Sequence, residues 1–137
     1  MRNRNLKTAN VTLRVDPFPS NDVLNGLWEV AWNSRADRDF SAILSRSLGH
    51  IGAFAGGQLV GFINIAWDGG IHAFLLDTCV TPVMRRQGIA TQLVDHAIEL
   101  ARNRGAEWLH VDFEHDLGGL YRKCGFRPTA AGVIKLT

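Results

Sequence analysis

Val80-Thr81-Pro82-Val83-Met84-Arg85-Arg86-Gln87-Gly88-Ile89-Ala90 is the stretch on which the reading of this chain turns. Before it, His72 to Val80 reads as a long strand. After it, Ile89, Leu93, Ala97 and Leu100, beside Ala90, Val94, Ile98 and Ala101, give the broad apolar face of a helix that ends at Gly105. The segment therefore carries a strand through a tight loop into a helix N-terminus. The first N–H groups of a helix have no intrahelical partner and sit at the positive end of its dipole, so such a junction holds anions, pyrophosphate among them, by its main chain. Gly88 has no Cβ to block a phosphate, Ala90 is nearly as small, and Arg85 and Arg86 add positive charge. On its own the segment also fits a plainer account, in which Gly88 eases a turn and the arginines are solvated.

Working outward, a strand is expected at Trp108 to Phe113, parallel to His72–Val80 because a helix connects the two by a right-handed crossover. On the N-terminal side, His50–Ala55 and Leu59–Trp67 are β-like runs joined by Gly56-Gly57-Gln58, and Asp68-Gly69-Gly70 turns the chain into His72. Residues 50–80 thus form a three-stranded antiparallel meander. A short first strand is expected at Val11–Val15, stopped by Asp16-Pro17. Two helices follow. One runs over Asp22–Trp32, capped by Ser20 or Asn21, with Val23, Leu24, Leu27, Trp28 and Ala31 on one face; the other is striped by Phe40, Ile43, Leu44 and Leu48, capped by Asp37 or Asp39 and ended by Gly49. Towards the C-terminus, a short helix at Leu117–Cys124 leads to Gly125 and a final hairpin of two brief strands, around Phe126 and at Val133–Leu136. The fold class is α/β with a mixed sheet: an antiparallel meander followed by a parallel β-α-β crossover.

With 137 residues, 46% hydrophobic and 20% charged, the chain is expected to form one soluble domain over 1–137, with 1–10 as a flexible extension. A net charge of +2 argues against a protein held to nucleic acid by phosphate neutralisation. No apolar run approaches the ~20 residues needed to cross a bilayer. The stretch after Arg2, Arg4 and Lys7 is too short and too polar for an export signal. Cys79 and Cys124 have neither disulfide nor metal spacing, and the histidines show no metal-ligand pattern, so a reducing cytoplasm is expected and no metal.

Arg85-x-x-Gly88-x-Ala90 resembles the acetyl-CoA loop of the GCN5-related N-acetyltransferases, whose pattern is Gln or Arg, two residues, Gly, one residue, Gly or Ala. Asp77-Thr78-Cys79-Val80-Thr81-Pro82 resembles the strand that precedes it in that family. Leu120-Tyr121-Arg122-Lys123-Cys124-Gly125-Phe126 is similar to its Tyr-x-x-x-Gly-Phe element. Arg85 and Tyr121 stand 36 residues apart, and the elements come in the right order. The resemblance implies splayed central strands, with pantetheine against the backbone of Cys79 and Val80 and pyrophosphate on the N–H groups of Arg86, Gln87, Gly88, Ile89, Ala90 and Thr91. It implies acetyl-CoA as co-substrate, direct attack of a neutral amine on the thioester, and Tyr121 as the acid that reprotonates the CoA thiolate. From spacing alone, Tyr121 reads better as a core aromatic beside Leu117 and Cys124, and it is the resemblance that reverses this. Many members carry asparagine seven residues before the tyrosine; this chain has Glu114.

An alkyl ammonium has a pKa of about 10.4, so a base is wanted before the amine attacks. If Trp108–Phe113 alternates, Trp108, His110, Asp112 and then Glu114 share one face, a polar row beside the cofactor gap. Asp112 and Glu114 are the base candidates, with Asp77 in reserve. His72, His110 and Trp67 are candidates for lining the acceptor pocket. The competing account is a solvated edge with a satisfied His–Asp pair. Cys79 and Cys124 read as small core residues rather than nucleophiles. The acceptor is a small-molecule or protein amine; the acidic candidates favour a cationic one. The short C-terminal segment leaves room for a homodimer completing the site. A non-catalytic acyl-CoA sensor on the same fold is the alternative function.

Overall fold

The computed structural model describes residues 10–137; of the extension expected at 1–10, residues 1–9 lie outside the described residues. Five strands form one sheet in the order β1 (Val11–Val15), β2 (Gly49–Ala55), β3 (Gln58–Trp67), β4 (His72–Val80) and β5 (Trp108–His110). The first four are antiparallel neighbours, and β5 runs parallel to β4. The mixed sheet and parallel crossover are as the sequence leads one to expect.

Helices cover both faces. On one, α1 (Asn21–Trp32) and α2 (Phe40–Arg46) bury Leu24, Leu27, Phe40 and Leu44 against Leu59, Phe62 and Cys79. Their starts are set by local chemistry: Ser20 Oγ accepts from Val23 N at 3.2 Å and Asp39 Oδ1 from Ala42 N at 3.2 Å, each satisfying an orphan donor. On the other face, α3 (Ile89–Asn103) buries Ile89, Leu93, Val94, Ala97 and Ala101 against Ile51, Ala53, Ile63, Ile65 and Leu75. Gly61 makes this approach possible: a Cβ there would stand 3.2 Å from Leu93 Cδ1 and 3.3 Å from both Ile89 Cγ2 and Ala53 Cβ. The first turn of α3 can thus lie against the end of β4.

Two expectations are corrected. β5 stops at His110 instead of Phe113, and no strand forms around Phe126 or at Val133–Leu136. The first difference has its counterpart in β4, where Asp77 and Thr78 together oppose Ile63, a bulge in which Asp77 adopts the left-handed region at φ 59°. A bulge bends and twists its strand, so the parallel ladder covers only His72–Phe74 and Trp108–His110, and the two strands then part. The C-terminal segment leaves α4 (Gly118–Lys123) and has no strand to pair with it.

Candidate functional site

The junction between β4 and α3 contains the features that suit an anion. Gly88 is the N-cap of α3, left-handed at φ 81°, with no side-chain cap and no acidic residue in the first turn. The first helical bond there is Gln92 N to Gly88 O at 3.0 Å, so the N–H groups of Ile89, Ala90 and Thr91 have no helical carbonyl before them. A Cβ built on Gly88 would meet nothing within 4 Å, which leaves open space over the helix end. The buried side chain of Ile89 pins that end to the core.

The arginines play unequal parts. Arg85 donates from Nε to Val80 O at 3.0 Å and from Nη2 to Ala31 O at 2.6 Å, tying the end of β4 to the last turn of α1. Arg86, exposed and at φ 63°, carries the cation at the loop surface. Gln87, which follows them, is half-buried. Cys79 and Val80 are buried, on opposite faces of the sheet. Burial, reinforced by the negative charge of Asp77 and opposed by Arg85, pushes the Cys79 thiol up to about 12. It is no thiolate at neutral pH, in keeping with a packing role.

Beyond the ladder, the gap between β4 and the chain after β5 is a cleft of about 540 Å³. Leu75 to Thr78 form one wall, Val111 to Glu114 the other, and Tyr121 and Leu117, with Trp28, Trp32 and Ala131 to Val133, complete it. Asp77, Asp112, Glu114 and Tyr121 are therefore brought together. Because the ladder ends at His110, alternation ends there too, and both parities of residues 111–114 line the cleft.

Tyr121 is 4% exposed, stacked on Phe113 at 4.7 Å and edge-on to Phe126 at 5.8 Å, with its hydroxyl bonded to the Thr78 side chain. Burial above all raises its pKa; the Thr78 bond works the other way, and the charges of Cys124 and Asp112 add to the rise. The phenol keeps its proton at neutral pH. Asp77 is engaged by Arg38 Nη1 at 3.4 Å. Asp112 and Glu114 are exposed, and none of the ion pairs among the described residues involves them.

His72, His110 and Trp67 lie elsewhere, at the paired end of β4 and β5. His72 Nδ1 is 3.0 Å from His110 Nε2, His110 stacks on Phe74 at 4.8 Å, and Trp67 pairs with Ala73. None of the three lines the cleft. Sequence reasoning passed over Thr78, Phe113, Trp32 as a wall, and Arg38, whose guanidinium lies 4.8 Å over Trp28 and 5.1 Å over Phe40. The only signal for Thr78 was a polar residue beside the cofactor end of β4; Arg38 gave none. Among the described residues no group of histidine, cysteine and acidic side chains could hold a metal ion, and no helix is long and apolar enough to cross a membrane.

A mixed sheet that parts beside an uncapped helix N-terminus, with a buried tyrosine across the gap, is the framework of an acyl-CoA-dependent transferase. The chain belongs to the acetyltransferase (GNAT) family, which it matches over residues 14–126. It is thus an enzyme of a family that uses acetyl-CoA. Among solved structures, a Staphylococcus aureus protein of unknown function superposes with a TM-score of 0.78 at 20% identity, over 93% of this chain and 98% of that one. A GNAT family protein of Streptococcus pneumoniae TIGR4 gives 0.75 at 24% identity over 93% and 98%. An aminoglycoside N-acetyltransferase in complex with CoA gives 0.73 at 19% over 93% and 94%. At such identities the likeness is one of fold. Among curated proteins compared with the chain, none matches it in sequence.

Proposed function

We propose that this protein transfers the acetyl group of acetyl-CoA to a primary amine by direct attack within a ternary complex. The observation that carries the proposal is the cleft in which the Tyr121 hydroxyl, Asp112 and Glu114 meet, opening from the same end of β4 as the uncapped start of α3.

In this reading the N–H groups at the head of α3 and the Arg86 guanidinium hold the pyrophosphate, and the backbone of Cys79 and Val80 lines up the pantetheine arm. Asp112 or Glu114, directly or through a water, takes the proton from the ammonium; both are exposed enough to pass it on to solvent. The amine nitrogen bonds to the thioester carbon, N–H groups near the β4 bulge and Val80 face the developing oxyanion, and the C–S bond breaks. Tyr121 gives its proton to the leaving sulfur, and the second proton shed by the newly acylated nitrogen restores the phenol, directly or through water. Asp77, already engaged by Arg38, is held in reserve. Trp28 and Trp32 beside two free carboxylates suit a cationic acceptor, since aromatic faces and carboxylates both favour an ammonium.

Thiol release from acetyl-CoA, measured over a broad panel of alkyl amines, amino sugars, polyamines and lysine peptides, tests the proposal. Turnover that depends on one class of amine supports it. Saturable acetyl-CoA binding with no amine-dependent release would favour a sensor and overturn the catalytic reading.

A further inference from the structure

The sheet face on which α1 and α2 pack is only half covered. The two helices shield Leu59, Phe62 and Cys79 and reach as far as Asn64, whose Oδ1 accepts from Ser47 Oγ at 2.5 Å. Residues directly opposite on neighbouring strands share a face. Asn64 stands opposite Leu76, Ala66 opposite Phe74, Phe74 opposite His110 and His72 opposite Trp108, so the same face continues across β4 and β5 as Leu76, Phe74, His72, His110 and Trp108. Ala73 and Leu75, between them in β4, belong to the core under α3. Phe74, Leu76 and Trp108 are 37%, 41% and 55% exposed. The imidazoles join them into one platform: His110 stacks on Phe74 at 4.8 Å, and its Nε2 is 3.0 Å from His72 Nδ1.

Large apolar side chains left together in water mark a contact surface. Charge says what kind of partner it fits. The chain is net basic, yet residues 47–84 and 105–121, which supply the platform and both main walls of the cleft, contain Asp68, Asp77, Glu107, Asp112, Glu114 and Asp116 and no lysine or arginine. Such a surface repels nucleic acid and draws a cationic partner. Its place says more. Leu76 belongs both to the platform and to the cleft wall, so whatever lies on the platform runs on into the cleft where Tyr121, Asp112 and Glu114 meet. Shape then separates the two kinds of acceptor. Small molecules are held in concave sites, whereas the platform is an open sheet face that extends from Leu76 to His72, about 13 Å along β4. That is the length of about four residues of an extended polypeptide.

We propose that the acceptor is a lysine of another protein, carried on an extended basic segment whose apolar and cationic side chains lie on the Leu76–Phe74–Trp108 platform while the lysine itself enters the cleft. The aromatic rings take the apolar side chains and the faces of guanidinium groups, and the surrounding carboxylates take the charge. The inference rests on the reading of the cleft as a site of acetyl transfer to an amine, and adds which amine.

Two probes with a single amine each test it: an N-acetylated peptide of about nine residues, long enough for platform and cleft, with a central lysine among arginine, leucine and phenylalanine, and Nα-acetyl-lysine amide. A control peptide has glutamate in place of arginine. Anisotropy of the fluorescently labelled peptides in the presence of CoA reads docking without turnover, and thiol release from acetyl-CoA reads transfer. The basic peptide is expected to bind saturably and to exceed lysine amide in kcat/KM by at least about tenfold, an advantage the glutamate peptide loses. Phe74→Ser with Trp108→Ser should lower both peptide binding and peptide kcat/KM by at least about tenfold, with lysine amide turnover and acetyl-CoA affinity unchanged. Trp108→Ser alone, at the most exposed of the three apolar positions, gives part of that loss if the double variant does not fold. Equal kcat/KM for peptide and lysine amide would overturn the proposal, and so would peptide binding that ignores the platform variants. A wild-type dimer in light scattering that those variants dissolve would also overturn it, by putting a second copy on the platform. Absence of thiol release with every amine would instead sink the transfer reading; anisotropy then decides the docking surface by itself, upheld by platform-dependent binding of the basic peptide and overturned by none.

Discussion

Replacing Tyr121 by phenylalanine removes one oxygen and leaves the ring. The ring's contacts with Phe113 at 4.7 Å and Phe126 at 5.8 Å persist, so the packing contribution of this 4% exposed side chain is kept. What disappears is the hydroxyl's bond to Thr78 and the proton it holds. A neutral hydrogen bond contributes about 0.5 to 1.5 kcal/mol net, and Thr78 is half-buried, so water can replace its lost partner and the lower half of that range applies. For a chain of this length, about 1 kcal/mol shifts Tm by roughly 3 to 5 °C, so a fall of a few degrees is expected. The rate should respond on another scale. Positioned proton transfer is worth about 10² to 10⁴, and kcat should drop by that factor while acetyl-CoA Kd changes little. The assay pairs thiol release at saturating substrates with thermal melting of the same preparation. A variant with wild-type kcat and a slightly lower Tm would refute the catalytic role, and Tyr121 would be a core aromatic whose hydroxyl has found a partner.

Asp112→Asn or Glu114→Gln should lower turnover most at the acidic end of the pH–rate profile, where the ammonium is hardest to deprotonate, with acetyl-CoA Kd unchanged by calorimetry; superimposable profiles for both variants would remove the side-chain base. His50 supplies a stability prediction. It is fully buried, its Nε2 accepts from Phe18 N at 2.9 Å, and burial, aided by Arg104 and opposed by Asp16, lowers its pKa below 6.5. The unfolded chain therefore binds the proton more readily than the folded one. The contribution of neutral His50 is fully present above about pH 6.5 and is lost as pH falls through the lowered folded value. Melting curves between pH 7.5 and 5 should show Tm falling with acid, and His50→Gln should flatten that fall; an equal slope in both would locate the effect in other groups.

Much of the frame was legible because it is written locally. Ser20 and Asp39 announce their helices by side chains that bond N–H groups three residues on. Gly56 and Gly57 at the β2–β3 turn have positive φ, the conformation for which glycine was read there. The periodicity of 89–101 names all five residues that α3 buries, and the other three it names, Ala90, Ile98 and Leu100, are half-buried. The cleft was legible only in outline, because its shape depends on where pairing fails. Asp77 looks in sequence like any outward residue of an alternating strand; its left-handed φ is imposed by the bulge against Ile63. Trp108–Phe113 carries strand chemistry throughout, but three residues of ladder end it at His110, and that is what turns Val111 to Glu114 of both parities toward the cleft. The same failure misassigned His72 and His110, which share a face with Asp112 only if the strand runs on. Arg85 read as a phosphate ligand because it stands in the motif, yet its acceptors, Val80 O and Ala31 O, are 5 and 54 residues away, the second beyond any local reading.

The central claim is that the head of α3 is the seat of acetyl-CoA, and calorimetric titration of acetyl-CoA into wild type and Gly88→Glu tests it most directly. A glutamate at φ 81° carries backbone strain as well as charge, so Gly88→Asn, which tolerates the left-handed region, is the control for fold. The account predicts one saturable site in the wild type, a weaker one in Gly88→Asn, and at least a hundredfold loss in a folded Gly88→Glu protein. Equal affinity in wild type and folded Gly88→Glu would contradict it, because a carboxylate at the helix head could not share that position with a pyrophosphate.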